Sequence, residues 1–408
     1  MWAPPFATPA DSARAVAHVY SLSLLACGPL LAAGLGVFFG RHAPSAVRAL
    51  IWKGAAAALL FIYVGRLLPF SWLAWSVPDD LAAPLIALGR LQLSGASLAP
   101  NAAETSPLAE RVVQALWFVY VSGAVLAMLP VFRSLLAGWR LAETATTVRD
   151  RRVEGLLQGA QQRIGMQRAV TIRVADAQVV PQTLGFLRPV ILLPLAALEW
   201  SDGDLHATFL HELAHIQRLD VLAVLASRVA CALYWFHPVS WWTAARLRVE
   251  MELACDDRVL ATGVRASDYA QLLLMASNGL EPVASTALGG ARRGLRARLA
   301  AIIEPRPRAR VATWRQAALA AAVTMAVTLP VATVRMSPSR DALTTLLRDP
   351  RWESRAYAAA GLAQRRDSLE VARATAQLDP SPRVRAVARF ALAQPMGRDL
   401  PTLIADQP

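Results

Sequence analysis

The sequence predicts an integral membrane α-helical protein: four transmembrane helices, an α+β domain enclosed between the third and fourth, and a C-terminal α-solenoid. Three observations carry this reading. Hydrophobic residues make up 55% of the 408, more than the core of a soluble protein needs. Apolar runs at residues 15–39, 50–70, 112–132 and 314–335 come close to the length of about 20 residues that crosses a bilayer. Finally, residues 347–364 are echoed at 377–394, a fixed offset of 30.

The first run lacks the charged start and small-residue cleavage site of a signal peptide, so it is expected to remain in the mature chain. The second is short by itself. Lys53 and Arg66 bracket it, and both side chains are expected to snorkel to opposite interfaces and lengthen the span, with Trp72 and Trp75 as interfacial residues beyond. Orientation follows from basic residues. Arg41, Arg48 and Lys53 follow the first run with no acid among them, whereas the loop at 76–111 holds Asp79, Asp80, Glu104 and Glu110. Arg133, Arg140, Arg149, Arg151 and Arg152 follow the third run, and Arg306, Arg308, Arg310 and Arg315 lead into the fourth. The positive side faces the cytoplasm. Residues 133–313 are therefore expected inside a bacterial inner membrane, and the loop at 76–111 and the tail at 336–408 outside it.

The net charge of +13 comes almost wholly from arginine, Lys53 being the single lysine. Because these arginines flank apolar runs, the bilayer is the expected partner and direct nucleic-acid binding is not. Cys27, Cys231 and Cys255 form no CxxC pair, which argues against a disulfide framework and against a thiolate metal site.

Within the cytoplasmic domain the pattern predicts a helix over 154–167, a strand from Val170, and a proline-bounded strand over 184–194 suited to a sheet edge. Helices follow over 205–220, 227–235 and 239–260, with a break at Pro238. The first of these three carries "HELAH". Positions i and i+4 share a helix face, so His211 and His215 can direct two imidazoles at one metal ion, with Glu212 beside them as general base toward water. A catalytic zinc needs a third protein ligand and an open position. The stretch "EMELACDD" supplies Glu252 as that ligand and, four residues on, Asp256 to orient a ligand histidine. Met251, Leu253 and Ala254 interleave with them as in a buried helix, where a carboxylate is costly without a cation. Glu250 and Asp257 read as solvated acids. Asp220, five residues past His215, reads equally as a group orienting a ligand and as a helix-end charge. His237, among tryptophans and before a proline, reads as structural, and His18, His42 and His206 have no partner pattern.

"HELAH" followed by "ELACD", preceded by "GFLRPVILLP" and set between apolar runs, resembles the BlaR/MecR family of membrane-embedded sensor metalloproteases over residues 15–334. The resemblance implies a gluzincin-like zinc protease fold, Zn²⁺ on His211, His215 and Glu252, and Glu212 as catalytic base. It further implies a protein substrate such as a cytoplasmic transcriptional repressor, an added substrate strand beside the stretch 184–193, and self-cleavage in the Gly- and Arg-rich connector at 288–310, whose charge also suits lipid headgroups. Two rival readings share the motifs: a quality-control metalloprotease, and a receptor that keeps zinc for structure alone. The resemblance ends at the tail. The extracellular penicillin-binding sensor of the best-known relatives uses a Ser-x-x-Lys nucleophile, and no lysine follows Lys53. Instead Asp349, Pro350, Arg355 and Ala356 match Asp379, Pro380, Arg385 and Ala386, a pattern similar to HEAT repeats that bind an external protein or ligand.

Overall fold

The structure, a computed structural model, describes residues 23, 25–38, 40, 43–67, 107–175, 179–277, 290–304, 314–333, 340–350, 352–365 and 368–393. The start of the first expected span and most of the loop at 76–111 lie outside these residues, as do His18 and His42. The described chain is mostly helical and falls into two compact units, one of them formed by Ala26–Phe61 with Val119–Thr328.

Three apolar helices come first: α1 (Leu25–Phe38), α2 (Ser45–Leu67) and α3 (Pro107–Thr144). Stretches of two of them, Ser45–Gly65 and Gln114–Thr144, are long and apolar enough to cross a membrane. Val125, Leu126 and Phe132 on α3 are more than half exposed, an apolar surface that suits lipid and is costly in water. The α3 helix runs well past the span expected at 112–132 and ends where β1 (Thr146–Thr147) begins. Gly123 on α3 lets the Trp235 ring approach: an added Cβ there would lie 2.3 Å from Cε2.

The α+β body opens with α4 (Arg151–Ile164). Asp150 caps it by accepting hydrogen bonds from the Arg152 and Val153 amides, and Gly165 ends it at φ 71°. Its buried residues Val153, Leu157, Ala160 and Ile164 recur at helical spacing. Each large one contributes about 1.5–3 kcal/mol on burial. The strands β2 (Thr171–Ala175), β3 (Gln182–Leu184) and β4 (Val190–Pro194) join β1 in a sheet of order β1-β2-β4-β3. β2 and β4 run parallel, Ile172 opposite Ile191, while β3 returns antiparallel to β4 with Thr183 opposite Ile191.

The single strand expected over 184–194 is therefore a hairpin. Gly185 takes φ 74°, a left-handed conformation that glycine adopts without strain, and the chain reverses there. As a result Val190–Pro194 lies inside the sheet and, among the described residues, β3 forms the edge on that side, β1 the other.

Helices α5 (Asp202–Gln217), α6 (Asp220–Leu233), α7 (Pro238–Ala261), α8 (Ala266–Ser277) and α9 (Gly290–Ile303) complete the body, followed by α10 (Trp314–Thr333). Ile191, Leu193, Phe209, Leu210, Leu213 and Val259 fill the core between sheet and helices. The connector expected over 288–310 is thus largely a helix packed on α7 and α8.

In the other unit α11 (Arg340–Leu346), α12 (Trp352–Ala363), α13 (Leu369–Leu378) and α14 (Pro382–Ala393) close on an alanine-rich core of Ala358, Ala359, Ala372, Ala388 and Ala391. Arg355 donates to the carbonyls of Asp349 and Pro350, and thirty residues on Arg385 donates to those of Asp379 and Pro380.

Candidate metal centre

The α5 helix starts at Ser201, whose hydroxyl accepts from the Asp204 amide, and it is buried around most of its circumference. A helix so enclosed must satisfy its polar side chains internally. Glu212 is only 5% exposed, and the Thr183 hydroxyl on the β3 edge donates to its Oε2 at 2.8 Å. The residue just before it, His211, and the one three positions after it, His215, face α7.

The two Nε2 atoms stand 3.2 Å apart. Glu252 on α7 brings Oε2 to 3.5 Å from the His211 Nε2 and Oε1 to 3.7 Å from that of His215. Donors at about 2.0–2.1 Å from a tetrahedral ion lie about 3.3–3.4 Å apart, so one ion fits among these three side chains without rearrangement. Their ligand atoms all fall within 4.8 Å of one another. Glu252 keeps 37% of its side chain accessible, so the cluster opens on one side.

The far nitrogens are held as a metal site requires. His215 Nδ1 lies 2.9 Å from Asp220 Oδ2. His211 Nδ1 meets the Tyr269 hydroxyl at 2.9 Å, and that hydroxyl donates to Asp256 Oδ1 at 2.7 Å. With each Nδ1–H donating, both Nε2 lone pairs face the centre.

Asp220 acts through a turn that helical spacing does not describe. Arg218 and Leu219 separate α5 from α6, and Leu219 sits at φ 54°. A non-glycine residue there costs about 1–2 kcal/mol. The reversal starts α6 at once and aims the Asp220 carboxylate, 2% exposed, back at His215.

Charges around the cluster are paired. Arg298, from α9, donates to Asp256 Oδ2 at 2.8 Å and Oδ1 at 2.7 Å, and its Nη1 lies 2.9 Å from Glu252 Oε2. Burial alone would raise the Asp256 pKa, but the Arg298 guanidinium and the contact with His211 hold it at about 2. Glu252, likewise opposed by burial, is held well below the usual carboxylate range by Arg298 and the histidines. Burial works to lower the pKa of both histidines, yet the surrounding carboxylates raise it on balance. The site draws positive charge onto its imidazoles.

A second group of donors, His215, Asp220 and Cys255, lies on the Nδ1 side of His215. It suits an orienting role better than a second metal. Lys53 already stands 2.5 Å from Asp220 Oδ1, and burial pushes the Cys255 thiol up, leaving it a neutral neighbour of Asp220 at 3.7 Å.

Expected residues thus converge: His211, His215 and Glu252 around one point, with Asp256 and Asp220 behind the histidines and Glu212 beside them. Four more arrive from distant segments, namely Thr183, Tyr269, Arg298 and Lys53. Two expectations are corrected. Glu250 and Asp257 are buried, because Arg48 donates to the first at 2.9 Å and Ser45 to the second at 2.5 Å. Lys53, expected at the membrane interface, turns instead to Asp220. His237 heads α7 with its Nε2 3.6 Å from Cys27 Sγ and does not join the donor cluster.

The model of the BlaR1 peptidase M56 family matches residues 76–302, more than half of the chain and all of these side chains except Cys27, Ser45, Arg48 and Lys53. The chain belongs to that family. Regulatory protein BlaR1 of Bacillus licheniformis is 27% identical over 148 residues, covering 36% of this chain and 25% of the relative. The match thus spans a quarter of the relative's length. For this M56 chain, membership marks residues 76–302 as a metallopeptidase-family segment, a family whose chemistry implies a metal, and two of its helices are long and apolar enough to cross a membrane.

Thr183→Val tests the β3 contact. Without its donor the Glu212 carboxylate loses one hydrogen bond, about 0.5–1.5 kcal/mol, more because the acceptor is charged. Turnover is expected to fall about tenfold with metal content unchanged, and full turnover in this variant would remove Thr183 from the site.

Proposed function

We propose that the protein is a membrane-bound zinc endopeptidase of gluzincin type that cleaves a cytoplasmic protein, a transcriptional repressor being the leading substrate class, when its C-terminal helices engage an external partner. The observation that carries the peptidase part is the convergence of His211 Nε2, His215 Nε2 and the Glu252 carboxylate on one point, open on one side, with Glu212 adjacent. The imidazole-rich donor set favours zinc.

A bound zinc ion supplies Lewis acidity toward a carbonyl and toward water. The chain's own residues do the rest. His215 and His211 are oriented by Asp220 and by the Tyr269–Asp256 pair, and Glu212, held by Thr183, takes the proton of the attacking water and returns it to the leaving amine. The free edge of β3 offers backbone groups to an extended peptide.

Four spans with the peptidase body in the cytoplasm complete the proposal. Support for the orientation comes from α2: its basic residues Arg48 and Lys53 pair with Glu250 and Asp220, which sets that end of the helix on the peptidase side. The paired roles of Arg355 and Arg385 support the reading of the tail as HEAT-like repeats.

The test is metal dependence. Full-length protein in detergent should bind one equivalent of zinc, cleave casein, lose cleavage to a chelator and regain it with zinc. Because the histidine pKa values are raised, protons compete for the ligands, and zinc affinity should keep climbing with pH beyond the ordinary histidine range. Absence of zinc binding at neutral pH would dispose of the proposal.

A further inference from the structure

We infer that Lys53, on the membrane helix α2, is a positioning residue of the metal centre: it holds the carboxylate that orients His215, so that α2 and a metal ligand move together. The inference rests on the metallopeptidase reading above.

The geometry is a three-member relay. The Lys53 ammonium donates to Asp220 Oδ1 at 2.5 Å and to the Arg218 carbonyl at 2.7 Å, while Asp220 Oδ2 accepts from His215 Nδ1 at 2.9 Å. One cation therefore clasps both sides of the strained Leu219 turn, the last carbonyl region of α5 and the first side chain of α6. The pair is buried, with 18% of the Lys53 side chain and 3% of the Asp220 side chain accessible. A contact so enclosed persists only when each charge keeps its partner.

The helix that carries Lys53 is itself seated on the peptidase body. Ser45 donates to Asp257, Arg48 pairs with Glu250, and the Trp52 ring meets Trp242 edge to face at 5.1 Å between centroids. These contacts hold α2 in register. One residue beyond Lys53, Gly54 lies against α10, where an added Cβ would come within 2.4 Å of Thr324 Oγ1. The helix that leads to the C-terminal segment thus touches α2 next to the relay. A shift of α10 or α2 would pull Lys53 from Asp220 and free His215 to turn, loosening the metal.

Full-length Lys53→Met, Lys53→Arg and Arg48→Met proteins would be compared with wild type for zinc affinity by chelator competition and for the absorption bands of the cobalt-substituted form. Losing an outer partner of a ligand histidine typically costs 10–100-fold in metal affinity. Because Lys53 acts on Asp220 and not on the histidine itself, Lys53→Met is expected to fall to the lower end of that range, about tenfold, with altered cobalt bands, Lys53→Arg to recover part of it, and Arg48→Met to keep wild-type affinity and bands while melting lower. Wild-type affinity and bands in Lys53→Met would overturn the relay. So would equal losses in Lys53→Met and Arg48→Met, which would make α2 a general brace. Wild type that binds no zinc would instead bring down the metallopeptidase reading, and the relay with it.

Discussion

Glutamine in place of Glu212 is expected to slow peptide-bond cleavage by about two to four orders of magnitude while zinc stays bound. The two side chains are nearly the same shape. Glutamine's carbonyl oxygen can still accept from the Thr183 hydroxyl that now donates to Oε2 at 2.8 Å, so the packing of α5 should survive. What is lost is the ability to take a proton from water. Neither histidine nor Glu252 is touched, and metal analysis should therefore return one zinc per chain for variant and wild type alike. Cleavage at the wild-type rate would assign the base elsewhere. Loss of zinc would make Glu212 a structural residue.

Methionine in place of Arg298 should have the largest effect on stability. Its guanidinium spans two carboxylates, Asp256 being almost fully enclosed with 3% of its side chain accessible. Removing one member of a buried ion pair leaves a stranded charge and costs about 3–5 kcal/mol. For a body of this size that corresponds to a melting temperature lower by roughly 10 °C, and zinc affinity should fall as Glu252 loses a neighbour. Lysine should rescue little, because an ammonium cannot donate along two sides of Asp256 and reach Glu252 as well. Thermal melting of Arg298→Met and Arg298→Lys decides the matter; unchanged melting in both would mean that α9 packs without this contact.

Parts of the centre could be read along the chain because one regular period generated them. A spacing of four places His211 with His215, and Glu252 with Asp256, on single helix faces. The meeting of those two faces depends on α5 and α7 packing, which a motif can suggest but a period cannot. Thr183, Tyr269 and Arg298 have no period to betray them. Thr183 reaches Glu212 only because Gly185 turns the chain and puts β3 at the edge, and a continuous apolar stretch hides that turn. Arg298 reads along the chain as one of many arginines in a connector, and its burial between carboxylates is set by α9 packing back on α7 and α8. Glu250 and Asp257 misled for the converse reason: their partners Arg48 and Ser45 lie some two hundred residues upstream, at the start of a helix read as a plain membrane span. The apolar helices themselves were legible from composition. Where they sit against the α+β body was not.

The left-handed residue at Leu219 makes the five-residue interval between His215 and Asp220 as strict a signature as the motif that precedes it. Inserting or deleting a single position in that junction would rotate the start of α6 by about 100° and carry the aspartate off its histidine. Length polymorphism among homologous chains should therefore be absent at this junction even where the residues themselves drift.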